Sequence, residues 1–346
     1  MTVSSDSLNF SCTTSNRIET KPTFVLVEPV DLKSGVDMPS LACAILLGAC
    51  SSEDIDPVLI QGQTRIHDYL FSEGLPEVWA LMDRLGEDVI KELDTPIAIS
   101  TILERGYSAF EVEMTGLYQD IILDKHTQIY IGGDRLESFF SAAETMGGVY
   151  HYYLTHRETE SLALVDLYVD EILEADPCLI GFSVFSSFDP LTRVIRKKLK
   201  SRSETPIIVG GALLPYLPVQ DFARLAEREQ TDYLCVGMAE QYLPSLINSI
   251  SNEQYEQGIP GVFRITGEEV SGLPLLNAPM PDTHNYPDYS QFDLDRYPTL
   301  TRILPVMTAY GCTWSRCAFC SHHKGYLKSF HAIPIEHVVD TLLHLQ

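Results

Sequence analysis

From Thr23 to Ser251, short apolar runs rich in β-branched residues alternate with stretches of helical periodicity. That rhythm predicts a parallel sheet covered by helices on both faces. The predicted strands are Thr23 to Val30, Pro57 to Gln61, Cys178 to Phe185, Pro206 to Val209 and Tyr233 to Val236. Helical patterns follow four of them, at Pro39 to Ala49, Pro190 to Lys200, Pro218 to Glu227 and Glu240 to Ser249. With right-handed crossovers this is an α/β fold, a doubly wound Rossmann-like domain over 23–251. Arg65 to Glu160 breaks the alternation with mostly helical sequence and is expected to be a helical insertion.

From Asn252 to Leu300, prolines 260, 274, 279, 281, 287 and 298 predict an extended connector with little secondary structure. A second unit is expected over 301–346. Arg302 to Thr308 reads as a strand, Gly311 opens a loop, and Pro334 to Leu345 has a helical pattern with Val338, Val339, Leu342 and Leu343 on one face.

Charge narrows the partners. The chain has 48 acidic and 24 basic residues, a formal charge of -24, which repels phosphate backbones and anionic membrane surfaces. Neither nucleic acid nor a membrane is an expected partner. Met1 to Pro22, rich in Ser, Thr and Asn, reads as a disordered tail of a cytoplasmic protein. Arg296 to Ile335 contains no Asp or Glu but does contain Arg296, Arg302, Arg316, Lys324 and Lys328. Such a window suits an anion, for example a cofactor carboxylate.

Eight cysteines in a chain of this length, without an export signal, are expected to be free thiols. Cys43, Cys50, Cys178 and Cys235 sit singly in apolar runs, where cysteine behaves as a small buried hydrophobe. Cys312, Cys317 and Cys320 differ: they form a Cys-x4-Cys-x2-Cys pattern in a loop straight after the predicted strand. Three thiolates so spaced can hold three irons of a [4Fe-4S] cubane and leave the fourth without a protein ligand. The alternative is a closed zinc site completed by His322 or His323.

The segment from Asn285-Tyr286-Pro287-Asp288-Tyr289, through Leu294-Asp295-Arg296-Tyr297, to Gly311-Cys312-Thr313-Trp314-Ser315-Arg316-Cys317-Ala318-Phe319-Cys320 resembles radical S-adenosylmethionine (radical SAM) proteins that carry an N-terminal cobalamin-binding-type domain. The resemblance implies that Cys312, Cys317 and Cys320 ligate the cluster and that Phe319 lies beside the adenine of S-adenosylmethionine. It implies reductive cleavage of that cofactor, hydrogen abstraction from a peptide or small natural-product substrate, and an electron-donor protein as partner. It also implies that 301–346 begins a TIM-type barrel. The first cysteine gap is one residue longer than the commonest family spacing, as in some subfamilies.

Within the resemblance, Ser183, Gly210 and Gly211 fall where the family lines the groove for the cobalamin nucleotide tail, and Gly237 and Glu240 echo its last loop. The Asp-x-His-x-x-Gly loop whose histidine ligates cobalt is absent; Glu28-Pro29-Val30-Asp31-Leu32-Lys33-Ser34-Gly35 stands there. Binding of cobalamin and retention of the fold without it both stay open on sequence. A complete barrel needs roughly 250 residues, so the chain is expected to be a catalytically silent fragment of a longer enzyme. A non-catalytic metal- or cobalamin-binding module is the alternative.

Overall fold

The computed structural model describes residues 21–28, 38–86, 116, 119, 133–156, 162–184, 190–211, 214, 217–253, 258–274, 285–297, 302–318, 320 and 330–346. The elements that build the first unit are β1 (Thr23–Val27), α1 (Leu41–Ser51), β2 (Asp56–Ile60), α2 (Gln63–Leu70), α3 (Leu75–Leu85), α4 (Gly133–His156), α5 (Ala163–Glu174), β3 (Leu179–Ser183), α6 (Pro190–Arg202), β4 (Ile207–Gly210), α7 (Phe222–Glu229), β5 (Tyr233–Cys235) and α8 (Leu243–Ser251). Two further strands, β6 (Val262–Thr266) and β7 (Glu269–Gly272), complete a seven-stranded sheet of order β2-β1-β3-β4-β5-β6-β7. The strands from β2 to β5 run parallel, and β6 and β7 are antiparallel. The 2-1-3-4-5 order of the parallel part is that of a doubly wound fold with its switch point between β1 and β3.

Period-two alternation explains how one sheet fills two cores. Val25, Val27, Ile180, Phe182, Ile207 and Val209 point to the face covered by α2 to α7. Phe24, Leu26, Leu179 and Ile208 point to the other face, packed by α1 and α8. The predicted strands and helices are found within a few residues of their expected ends. Helix α5, which begins just after the stretch expected to be a helical insertion, carries the chain back to β3.

The larger core contains one buried ion pair. Arg196 is fully buried, and its Nη2 donates to Glu229 Oε2 at 2.5 Å and its Nε to the Glu229 carbonyl at 2.7 Å. Nη1 donates to Thr192 Oγ1 at 3.2 Å, and the guanidinium lies 5.1 Å from the Phe182 ring centroid. Every face of the cation thus has a partner, which is the condition under which a buried charge is tolerated.

The stretch expected to have little secondary structure contributes the β6–β7 hairpin, because its Val262-Phe263-Arg264-Ile265-Thr266 run pairs with β5. Residues 285–297 have no strand but are closely docked. Gly48 on α1 has no side chain, and a Cβ there would lie 2.0 Å from the Tyr286 carbonyl oxygen. The Asp288 N–H donates to the Ala44 carbonyl at 2.8 Å. Gln291 then seals the sheet edge: its Oε1 accepts from Leu59 N–H at 2.7 Å and its Nε2 donates to the Pro57 carbonyl at 2.5 Å. An open edge strand is a template for unwanted pairing, and here one amide side chain occupies it.

The second unit departs from expectation. Residues 302–308 form no strand. A two-residue strand, β8 (Ala309–Tyr310), pairs antiparallel with β9 (His331–Ala332), and α9 (Ile335–His344) follows. A strand exists only where a neighbour takes up its backbone hydrogen bonds, and β9 reaches no further than β8. The apolar face of α9 is open: Ile335 is 72% exposed and Leu343 61%.

Two stability tests follow from these cores. Arg196→Ala leaves Glu229 with only the half-exposed Arg228 and is expected to cost about 3 kcal/mol in urea unfolding, whereas an exposed pair such as Lys21–Asp54 contributes little. Burial also lowers the pKa of His67 from 6.5 to about 4. Between those values the unfolded chain binds a proton that the folded chain refuses, so stability falls as pH drops through the window, by about 3 kcal/mol in all. Urea midpoints at pH 7 and 4.5 are expected to converge in His67→Gln relative to the parent.

Candidate cluster loop and sheet edge

The cysteine loop starts where β8 ends. Gly311 turns the chain at φ 74°, a left-handed conformation that favours glycine. Cys312, Cys317 and Cys320 are all half-buried, so each sulfur retains access to a ligand. The Cys320 N–H donates to the Cys317 carbonyl at 3.1 Å, closing the turn between the last two. Ser315 sits at φ 45°, where a non-glycine residue costs about 1–2 kcal/mol. Its N–H donates to Cys312 Sγ at 3.4 Å. Backbone donors at Ser315 and Trp314 pull the Cys312 thiol below its ordinary pKa, toward the thiolate that binds metals.

The other thiols are of a different kind. Cys43, Cys50 and Cys235 are all buried, and burial raises the pKa of each, Cys50 and Cys235 to about 12. They are packing residues, as their apolar surroundings in the sequence suggest. Among the described residues, no three His, Cys, Asp or Glu side chains gather around one point as a single metal ion requires. Soft donors on a short, accessible loop suit a cluster, whose thiolates bind separate irons. Phe319, His322 and His323 lie outside the described residues.

The groove residues expected from the sequence share one edge. Ser183 and Gly210 are register partners at the carboxyl ends of β3 and β4, and Val184 N–H donates to the Gly210 carbonyl at 2.8 Å. At Gly211, φ is 133° and a Cβ would lie 2.0 Å from the Val184 carbonyl oxygen, so the neighbouring backbone alone requires glycine. Beside them a cavity of about 10 Å³, lined by Val184, Gly210, Leu214, Leu225 and Arg228, has room for one water.

Two contacts that sequence reasoning missed bring this edge to the cysteine loop. Met238, in the loop after β5, packs with Tyr310 of β8 and with Ile333 in a small apolar cluster. The second contact runs through Glu28, buried at the carboxyl end of β1. Its Oε1 accepts from Ser40 N–H at 3.1 Å and from Tyr297 Oη at 3.4 Å, and its Oε2 accepts from Gly62 N–H at 3.0 Å. Desolvation raises the Glu28 pKa while these donors oppose the rise. Tyr289 Oη donates to the Pro305 carbonyl at 2.5 Å, and the Tyr286 ring stacks on His337 and His344 of α9 at 5.4 and 4.7 Å. The only sequence signal for Glu28 was a lone acid ending an apolar strand.

The chain shares its fold with part of a solved cobalamin-dependent S-adenosylmethionine radical enzyme. The chain is similar to the S-adenosylmethionine radical enzyme OxsB with aqua-cobalamin bound, at 15% identity and a TM-score of 0.52, over 94% of this chain and 32% of OxsB. A second OxsB structure, with aqua-cobalamin and S-adenosylmethionine bound, gives 0.51 at 15% identity over 93% of this chain and 31% of that one. The radical S-adenosylmethionine methyltransferase TsrM from Kitasatospora setae, with cobalamin and a [4Fe-4S] cluster bound, aligns at 16% identity with a TM-score of 0.49, over 94% of this chain and 47% of that one. The chain thus covers between 31% and 47% of the length of these proteins. No family model and no curated protein matches the sequence. Among the described residues no helix is long and apolar enough to cross a membrane.

Thiol labelling checks the division among cysteines. With the metal-free chain at pH 7.5, iodoacetamide is expected to modify Cys312 at least tenfold faster than Cys43, Cys50 or Cys235, read peptide by peptide in the mass spectrometer. Those three should label only on unfolding.

Proposed function

We propose that this chain carries the cobalamin-type and cluster-binding parts of a radical SAM enzyme acting on a peptide or small natural-product substrate. Cys312, Cys317 and Cys320 hold a [4Fe-4S] cluster, and Phe319 borders the adenine of S-adenosylmethionine. Ser183, Gly210 and Gly211 form the floor on which cobalamin lies. The observation that carries this reading is the apolar cluster that Met238 shares with Tyr310 and Ile333. It sets the root of the cysteine loop against a loop at the carboxyl edge of the sheet, where doubly wound folds bind ligands. Two ligand sites, one at each side of that contact, could then exchange a reacting group without either leaving its seat.

A cluster bound by three cysteines supplies a low-potential electron and an open iron for the amino and carboxylate groups of S-adenosylmethionine. The chain's own residues do the rest. Backbone N–H groups at Trp314 and Ser315 favour the anionic sulfur of Cys312. The absence of Asp and Glu from 296 to 335 keeps carboxylates of the same segment away from an anionic cofactor. Small residues along the edge let a large ligand approach the backbone.

Anaerobic reconstitution with ferrous iron and sulfide tests the proposal. The chain is expected to take up about four irons per molecule, as a [4Fe-4S] cluster requires, with a broad absorption near the blue end of the visible spectrum. Cys312→Ala, Cys317→Ala or Cys320→Ala should each abolish it. A single tightly held zinc in place of iron would reject the cluster and favour the closed site with His322 or His323. Hydroxocobalamin retained through gel filtration would support the second ligand site, and Gly210→Trp should release it.

A further inference from the structure

The first cysteine gap, Thr313-Trp314-Ser315-Arg316, contains a residue in the left-handed region, Ser315 at φ 45°. A serine enters that region only when something on the loop holds it there. The result is visible in the hydrogen bonding: the Ser315 N–H is turned back onto Cys312 Sγ at 3.4 Å. A backbone N–H aimed at a cysteine sulfur is a donor of the kind that tunes iron-sulfur centres. Both flanking side chains, Trp314 and Arg316, are exposed, so the turn is not imposed by burial of either one.

We propose that the turn at Ser315 is a tuning element for the cluster, in which the gap between the first two cysteines aims the Ser315 backbone N–H at the Cys312 sulfur and favours the reduced state. This rests on the cluster assignment above. Reduction adds one electron and no proton, so negative charge on the cluster sulfurs grows. N–H donors stabilise that charge and raise the potential, one of the recognised controls on iron-sulfur centres. Ser315 acts through its backbone amide and is a positioning residue; its hydroxyl has no part in the effect.

The test compares Ser315→Gly, Ser315→Val and Ser315→Pro with the parent, each reconstituted anaerobically and poised at fixed potentials with redox mediators. The reduced fraction is read by electron paramagnetic resonance. Glycine keeps both the left-handed turn and the N–H and is expected to match the parent. Proline deletes the donor, and the ratio of reduced to oxidised cluster should fall by up to tenfold, equivalent to 59 mV for a one-electron couple. Valine resists positive φ and should fall between them; if the proline variant takes up no iron, the valine and glycine variants decide. Equal potentials in all loaded forms would overturn the inference while leaving the cluster intact. A parent chain that takes up no iron would overturn the cluster assignment and the inference with it.

Discussion

One buried carboxylate ties the architecture together. Glu28 ends β1 and collects the backbone N–H at the start of α1, the N–H after β2 and the hydroxyl of Tyr297. Burying a carboxylate is costly unless donors replace the water it loses, and here three donors from three separate segments do so. Each segment is thereby held to the carboxyl end of the sheet. Remove the carboxylate and the helix entry, the β2–α2 turn and the connector lose their common point.

What Glu28 holds at one end, α1 carries along its flank. The absence of a side chain at Gly48 lets the connector run against the helix, and Tyr289, Phe292 and Tyr297 fill the core on that side. The cysteine unit is mounted on this connector through Pro305 and the stacked rings of Tyr286, His337 and His344. Met238 closes the circuit from the sheet side. The loop that bears Cys312 is consequently set against the sheet edge by packing from two directions, which is a requirement for any chemistry that passes between two bound groups.

Much of the first unit was legible in the residues because local pattern and tertiary role agree there. The β1 run Phe24 to Val27 is apolar throughout since both of its faces are covered, and its parallel pairing follows from the helices between strands. Residues 302–308 show the limit of the same reasoning. Ile303-Leu304-Pro305-Val306-Met307 has the composition of a strand, yet strand formation is decided by a neighbour, which no local pattern reveals. The β6–β7 hairpin was hidden for a related reason: prolines on either side masked a run whose pairing partner, β5, lies far earlier in the chain, with Leu234 opposite Phe263.

The sequence by itself determined the class of the fold and the one group of residues with distinctive chemistry, Cys312, Cys317 and Cys320, because residue type and spacing along the chain are local quantities. Tertiary structure alone decided that Gln291 would seal β2, that Gly211 answers to the Val184 carbonyl, and that Met238 would meet Tyr310. Those depend on distances between segments far apart in the chain, which only packing sets.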